Sequence, residues 1–193
     1  MARIREFDPQ ETLDKAMLLF WHKGYAETSV RDLVENTGVA HAGLYAAFGG
    51  KRALYQAALD HYNETFGNML IGPLEQPDAG RAEVEDFFKT VGDAVRTKRF
   101  VDGCFMCNTA VEFGNEGSDV VAKPLANIDR MTNGFLNALG QARDRGEVRA
   151  DLDPASTASF LTSLFHGLAV LARAKAPSAT IDASIQMALD ALD

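Results

Sequence analysis

An all-α fold is expected for this chain of 193 residues, on three observations. Apolar residues recur at three- and four-residue spacing through nearly the whole length. Helix-start signals (Asp-Pro, or Ser followed three residues on by Asp) and Gly or Pro stops bracket those stretches. No segment alternates apolar and polar residues persuasively enough to be a strand. About nine helices are expected. They divide into an N-terminal helix-turn-helix three-helix domain, residues 1–50, and a larger helical domain, residues 51–193.

The elements follow in order. Asp8 is a side-chain N-cap and Pro9 fits the first helical position. Leu13, Ala16, Met17, Phe20 and Trp21 then make one apolar face up to a stop near Gly24. Ser29 and Asp32 form a capping-box-like start to a second, short helix with Val30, Leu33 and Val34 inward. Gly38 can take the left-handed conformation that ends it, and Val39, Leu44 and Phe48 face inward from the third. Lys51 opens a fourth helix, carrying Leu54, Tyr55, Ala58, Leu59, Tyr62 and Phe66 toward Gly72 and Pro73. A loop to about Gly80 precedes a helix over Arg81–Arg99 with Val84, Phe87, Phe88, Val91 and Val95 inward. Another helix begins around Gly103 and Cys104 and ends by Gly114. A long one, Ser118 to Gly146, is softened by Pro124 and should point Leu125, Ile128, Phe135, Leu136 and Leu139 inward. Asp153 and Pro154 repeat the Asp-Pro start, and the last two helices cover about 154–175 and 178–192, with Pro177 between.

Composition narrows the function. Apolar residues make up 47% of the chain, enough for a real core, and no run of eighteen apolar residues suggests a membrane span. A charged opening with Arg3, Arg5 and Glu6 is unlike a secretory leader, so the cytoplasm is the expected compartment. Two cysteines, Cys104 and Cys107, are too few for a disulfide framework. The net charge is −8 but unevenly spread. Residues 1–60 hold seven Lys/Arg against eight Asp/Glu; the remainder hold twelve against nineteen. A few placed cations in the first part can anchor a duplex while the acidic remainder faces water.

The stretch from Thr28 to Lys51 is the most informative. Two short helices meeting at a Gly-containing turn form a helix-turn-helix, whose second member can lie in the DNA major groove. Thr28, Leu33, Gly38, Val39, Leu44, Tyr45, Phe48 and Lys51 fall on a frame that resembles the TetR family of one-component transcriptional regulators. Ala40 stands where serine is usual, and Ala46 and Ala47 replace bulkier or polar residues. The resemblance implies a DNA-binding regulator acting on double-stranded operator DNA, most often a repressor. It also implies homodimerisation through the last helices and release by a small-molecule effector bound among the middle helices.

Site residues follow from these readings. Arg3 and Arg5 form a basic arm before the first helix, and Lys51 combines an ammonium with a helix N-terminus for phosphate. Tyr45 carries a hydroxyl suited to phosphate, and Thr28 is a phosphate contact by match to the family frame. Base reading falls to His41, Ala42, Gly43 and Ala46, where alanine methyls can meet thymine methyls. The apolar spacing of Leu161, Phe165, Leu168, Ile185 and Leu189, with small residues such as Gly167 among them, places self-association on the last two helices. Asn108, Glu112 and His166, with Phe135 nearby, are candidates for an effector cavity.

Cys104 and Cys107 stand three positions apart at a helix start, where the dipole lowers thiol pKa. Four roles are open to them: redox or electrophile sensing, half of a metal site, thiol-disulfide exchange, or plain core. No second Cys-x-x-Cys completes a zinc set and no phosphate loop or Ser-His-Asp set is visible, so neither metal nor cofactor nor enzymatic activity is expected. The competing functions are a thiol-disulfide oxidoreductase using Cys104 and Cys107, and a helical interaction module without DNA binding.

Overall fold

The computed structural model describes residues 7–114 and 119–193, and among them it has nine helices and no strand. Helix α1 is Pro9–Lys23, α2 is Val30–Thr37 and α3 is His41–Phe48. Helix α4 starts as Lys51–Tyr62 and continues through a π turn, Asn63–Gly67, into Asn68–Ile71. A 3₁₀ turn at Gly72–Glu75 leads to α5 (Arg81–Arg96), α6 (Phe105–Phe113), α7 (Asp119–Asp144), α8 (Pro154–Arg173) and α9 (Ser178–Asp190). The arms at Arg3 and Arg5 and the expected helix start at Ser118 lie outside the described residues.

Local chemistry sets the ends as the sequence suggests. Asp8 accepts from the Gln10 amide at 2.8 Å, and Asp153 from the Ser156 amide at 3.1 Å. Each satisfies one of the donors that a helix start leaves free. Ser29 and Asp32 form a complete capping box, and Gly38 sits at φ 75° with its amide on the Val34 carbonyl. A side chain at that φ is strained, so glycine both stops α2 and turns the chain into α3.

Helices α5 and α8 end differently. Lys98 and Lys175, both at φ 58°, are the only non-glycine residues of positive φ among those described. Each closes a double-bonded helix end: Lys98 and Arg99 amides bond Val95 and Ala94, and Lys175 and Ala176 amides bond Ala172 and Leu171. Glycine is usual there. A left-handed side chain costs about 1–2 kcal/mol. A cation near a helix C-terminus returns about 0.3–1 kcal/mol of it.

Two aromatic clusters hold the halves. Helix α1 lies on α4 through Phe20 edge-on to Tyr55 at 4.9 Å and Trp21 edge-on to Tyr62 at 4.9 Å. In the larger half, Phe87 contacts Phe135 at 4.9 Å and Phe165 at 5.4 Å. Each such pair contributes about 0.5–1.5 kcal/mol beyond the area it buries. Helix α7 packs along α8, with the Thr132 hydroxyl bonded to that of Thr162 at 3.1 Å. The phase of α7 corrects one expectation. Leu125 and Leu136 face out, while Pro124, Asn127, Met131, Phe135 and Ala138 face in. Counting only apolar residues misses this face because a proline and an asparagine occupy it; the Asn127 amide is satisfied by the Asn63 carboxamide oxygen at 2.8 Å.

Candidate nucleic-acid interface

Helix α3 has a single fully buried residue, Leu44, which belongs to the core together with Leu33 and Val39. With one anchor on an eight-residue helix, the opposite face is free. His41, Ala42, Tyr45 and Ala46 are all exposed and lie at i, i+1, i+4 and i+5, so they share one side. The His41 ring lies over Tyr45 at 4.1 Å between centroids. This face is narrow and mostly small, with a hydroxyl and an imidazole at its centre. Such a surface suits entry into a major groove.

Two expected contacts, Thr28 and Gly43, change role, and a third, Lys51, gains a neighbour. Thr28 is fully buried and its hydroxyl donates to the Gly24 carbonyl at 2.6 Å, so it closes the α1–α2 turn and has no free face for phosphate. Gly43 is a packing residue, not a base reader. A Cβ there would come within 3.0 Å of Val39 and 3.3 Å of Phe7, on the inner side of α3. Lys51 is half-buried, its ammonium 4.1 Å from the centre of the Tyr25 ring. Burial pushes that ammonium below the usual lysine value, and the nearby Glu112 and Asp32 carboxylates partly hold it up. Lys51 therefore sits beside α3 as a positioned cation, at a helix start with no side-chain cap at Gly50. Arg52 pairs with Asp119 at 2.8 Å. Asp32, beside them, is held well below the usual carboxylate range by Lys23 first, then by the Ser29 amide and hydroxyl.

Known proteins match this chain in both halves. Residues 13–58 match the model for bacterial regulatory proteins of the tetR family, and residues 80–188 match the tetracyclin repressor-like C-terminal domain. The chain belongs to the TetR family. It is a DNA-binding transcriptional regulator. It is 33% identical over 174 residues to the transcriptional repressor ComR of Escherichia coli K12, covering 89% of this chain and 82% of that one. It is 27% identical over 194 residues, the whole of both chains, to the uncharacterized regulator YezE of Bacillus subtilis 168. A cysteine mutant of the TetR family regulator CifR, solved with 26-bp double-strand operator DNA, superposes with a TM-score of 0.87 at 28% identity, over 99% of this chain and 100% of that one.

The TetR head is tied to the body by contacts that sequence reasoning missed. Glu112, expected in a cavity, is exposed on α6 and accepts from the Tyr25 amide at 3.0 Å and the Ala26 amide at 2.7 Å. It thereby caps the α1–α2 turn from more than eighty residues away. Arg173, in the last turn of α8, donates to the Trp21, His22 and Asp102 carbonyls at 3.2, 3.3 and 3.0 Å. The first two are carbonyls at the end of α1, where a cation is favoured. Trp21 Nε1 donates to the Gly103 carbonyl at 3.0 Å. No local sequence signal marks any of these, because each pairs a side chain with a distant backbone.

The other expected sites fare unevenly. Asn108 uses its side-chain amide locally, donating from Nδ2 to the Asp102 carbonyl at 2.8 Å. Phe135 is core, stacked on Phe88 at 5.8 Å. His166 donates from Nδ1 to the Thr162 carbonyl at 2.7 Å, since a carbonyl only accepts. Its Nε2 is the only buried side-chain polar atom without a partner among the described residues. Cys104 is buried against Tyr62, whose hydroxyl lies 3.7 Å from Sγ, and burial pushes its thiol up, not down. Cys107, partly exposed, is pushed up to about 11 by burial and by its neighbour Cys104. At this helix start desolvation outweighs the dipole, so the expected activation is reversed.

The dimer residues need the largest correction. Leu161, Phe165 and Leu168 are 0–1% exposed in the single chain and belong to its own core. Ile185 is also buried and Leu189 half-buried. The outward side of α8 carries Phe160, Ser163, Gly167 and Val170 instead, and α9 adds Ala183 and Met187. A Cβ at Gly167 would meet nothing within 4 Å. Helix α8 is long and apolar enough on average, at a mean hydropathy of 1.4, to pass as a membrane span by length and composition. Its inner face is spent on α7 and its outer face is the exposed stripe just described, in which Phe160 and Val170 flank the small Ser163 and Gly167.

Proposed function

We propose that this regulator is a cytoplasmic homodimeric repressor that reads operator DNA through the His41, Ala42, Tyr45 and Ala46 face of α3. The observation that carries the reading is that face itself, exposed on a helix held by one buried leucine, on a head that matches the family. Tyr45 and Lys51 supply phosphate contacts and register; His41 and the two alanine methyls read bases. Arg3 and Arg5 extend the basic surface ahead of α1. Residues 1–50 serve DNA and residues 51–193 serve assembly and effector binding, with α4 packed against both.

Dimerisation uses the outward stripe of α8 and α9. Small residues there allow two copies to pack as a four-helix bundle, and two α3 helices then meet successive major-groove turns. A small-molecule effector relieves repression from among the middle helices, where the unpartnered His166 Nε2 offers one polar group to a ligand. The raised thiols of Cys104 and Cys107 favour a binding protein over a thiol-disulfide oxidoreductase, which needs a ready thiolate. They equally disfavour release by cysteine modification. Selection of binding sites from random DNA tests the proposal. A paired-half-site operator bound by dimers supports it, and the absence of any selected sequence sinks it.

A further inference from the structure

A cleft of about 710 Å³ opens where the end of α1, the loop after α5 and the α8–α9 turn converge. Val95, Phe100, Val101, Ala172 and Ala176 give it apolar walls, and Lys98 and Lys175 stand on its lining. Its other charged groups are already engaged. Arg96 bonds Asp182 at 2.5 Å and Asp93 at 2.6 Å, and Asp102 bonds the His22 ring at 2.9 Å. Neither lysine has an ion-pair partner among the described residues. On a chain of net charge −8, two exposed lysines without an ion-pair partner among the described residues, both on the lining of one cleft with apolar walls, stand apart.

The backbone sharpens the point. Both lysines hold the left-handed position where glycine is the unstrained choice, and they are the only two non-glycine residues to do so among those described. A helix end attracts a cation for its own dipole, which accounts for either lysine singly. It does not account for both lining the same cavity. The first residue of α9, Ser178, completes the lining, and its N-cap, Pro177, supplies no side-chain oxygen to its amides.

We propose that this cleft is a binding site for a small amphipathic carboxylate, an acid with one anionic head and a compact apolar body. The head pairs with Lys98 and Lys175, and the body lies against Phe100 and Val101. The volume falls within the range usual for small-molecule sites. The site is distinct from the interior around His166, and only its consequence for DNA rests on the repressor reading. His22 lines the cleft from α1, and its carbonyl is one of those held by Arg173. Occupancy thus acts on the clasp that ties the head to α8, and the acid shifts operator affinity by its preference between clasped and unclasped states.

The test needs no DNA. Trp21, the sole tryptophan, precedes His22 in the chain and bonds Gly103 behind the cleft, so its emission reports on the site. Decanoate is titrated into the purified full chain, with decanol and acetate as controls, by Trp21 fluorescence and calorimetry. Saturable binding of one decanoate per chain is expected, with no comparable binding of decanol or acetate. The double variant Lys98→Gly, Lys175→Gly relieves both strained positions and so keeps its fold, checked by thermal melting, yet should bind decanoate about tenfold more weakly or worse. Equal binding of decanol, unchanged affinity in the double variant, or no saturation by decanoate each overturns the proposal. A positive result in a chain that selects no operator would separate this site from the repressor reading.

Discussion

Helices α3 and α8 both present repeated small and apolar residues, yet one was legible from sequence and the other was misplaced by a rotation. In α3 Leu44 is buried with Gly43, Ala47 and Phe48 half-buried beside it, so His41, Ala42, Tyr45 and Ala46 form one exposed face. In α8 eight residues are buried and the rest include Phe160 and Val170, so apolar spacing runs around the whole cylinder. Periodicity identifies a face only when a polar face opposes it. Where both faces are apolar, which one meets its own chain is a matter of packing. The comparison also assigns cost: changes on the outer face of α3 should leave folding untouched, whereas changes on α8 should unfold the chain or spare it depending on a 100° turn.

The largest expected effect tests that rotation. Phe165→Glu places a carboxylate against Phe87 and Phe100, and losing about 3–5 kcal/mol or more there rivals the whole stability of a domain. It should yield unfolded or insoluble chains, whereas Val170→Glu, on a residue 54% exposed, should stay folded and soluble, losing only what the partner chain contributes to its melting temperature. Thermal melts of the pair decide; equal melting temperatures break the comparison. Second, Val170→Glu should sediment as a monomer and lose about 100-fold in operator affinity, since one linked half-site is lost. A dimeric Val170→Glu variant with native affinity moves the seam elsewhere.

Next in size, Lys51→Ala should weaken operator binding and lower the salt slope by about one, with about 0.5–1 kcal/mol of stability lost from its contact with Tyr25. Tyr45→Phe should weaken binding with no change in melting. Binding by both like wild type across a salt series would show that α3 is not the reading helix. Smaller again, Glu112→Gln keeps the shape but loses the charge that caps Tyr25 and Ala26, at about 1 kcal/mol. Faster amide exchange at Tyr25 and Ala26, with the aromatic core unchanged, is the expected signature; unchanged exchange removes Glu112 as the tie.

The smallest effect concerns the cysteines. A thiol raised to about 11 stays protonated at neutral pH, so Cys107 should alkylate slowly at pH 7.5 and about tenfold faster for each unit of rising pH toward that value. Cys104, buried against Tyr62, should label later still. Mass-spectrometric mapping checks both, and rapid Cys104 labelling at pH 7.5 would restore the dipole-driven reading.

By itself the sequence determined the helices and the head. Asp8, Ser29 with Asp32, Gly38 and Asp153 act on neighbours one to four residues away, and such chemistry is complete in a short window. The exposed face of α3 followed for the same reason, because a short helix with one leucine anchor leaves little choice. Tertiary structure decided the rest. It sent Glu112 and Arg173 across the chain to the C-terminal end of α1, spent Phe165 on the core and reversed the expected acidity of Cys104. Each of these outcomes depends on desolvation or on a partner dozens of residues distant. Neither exists until the helices have packed.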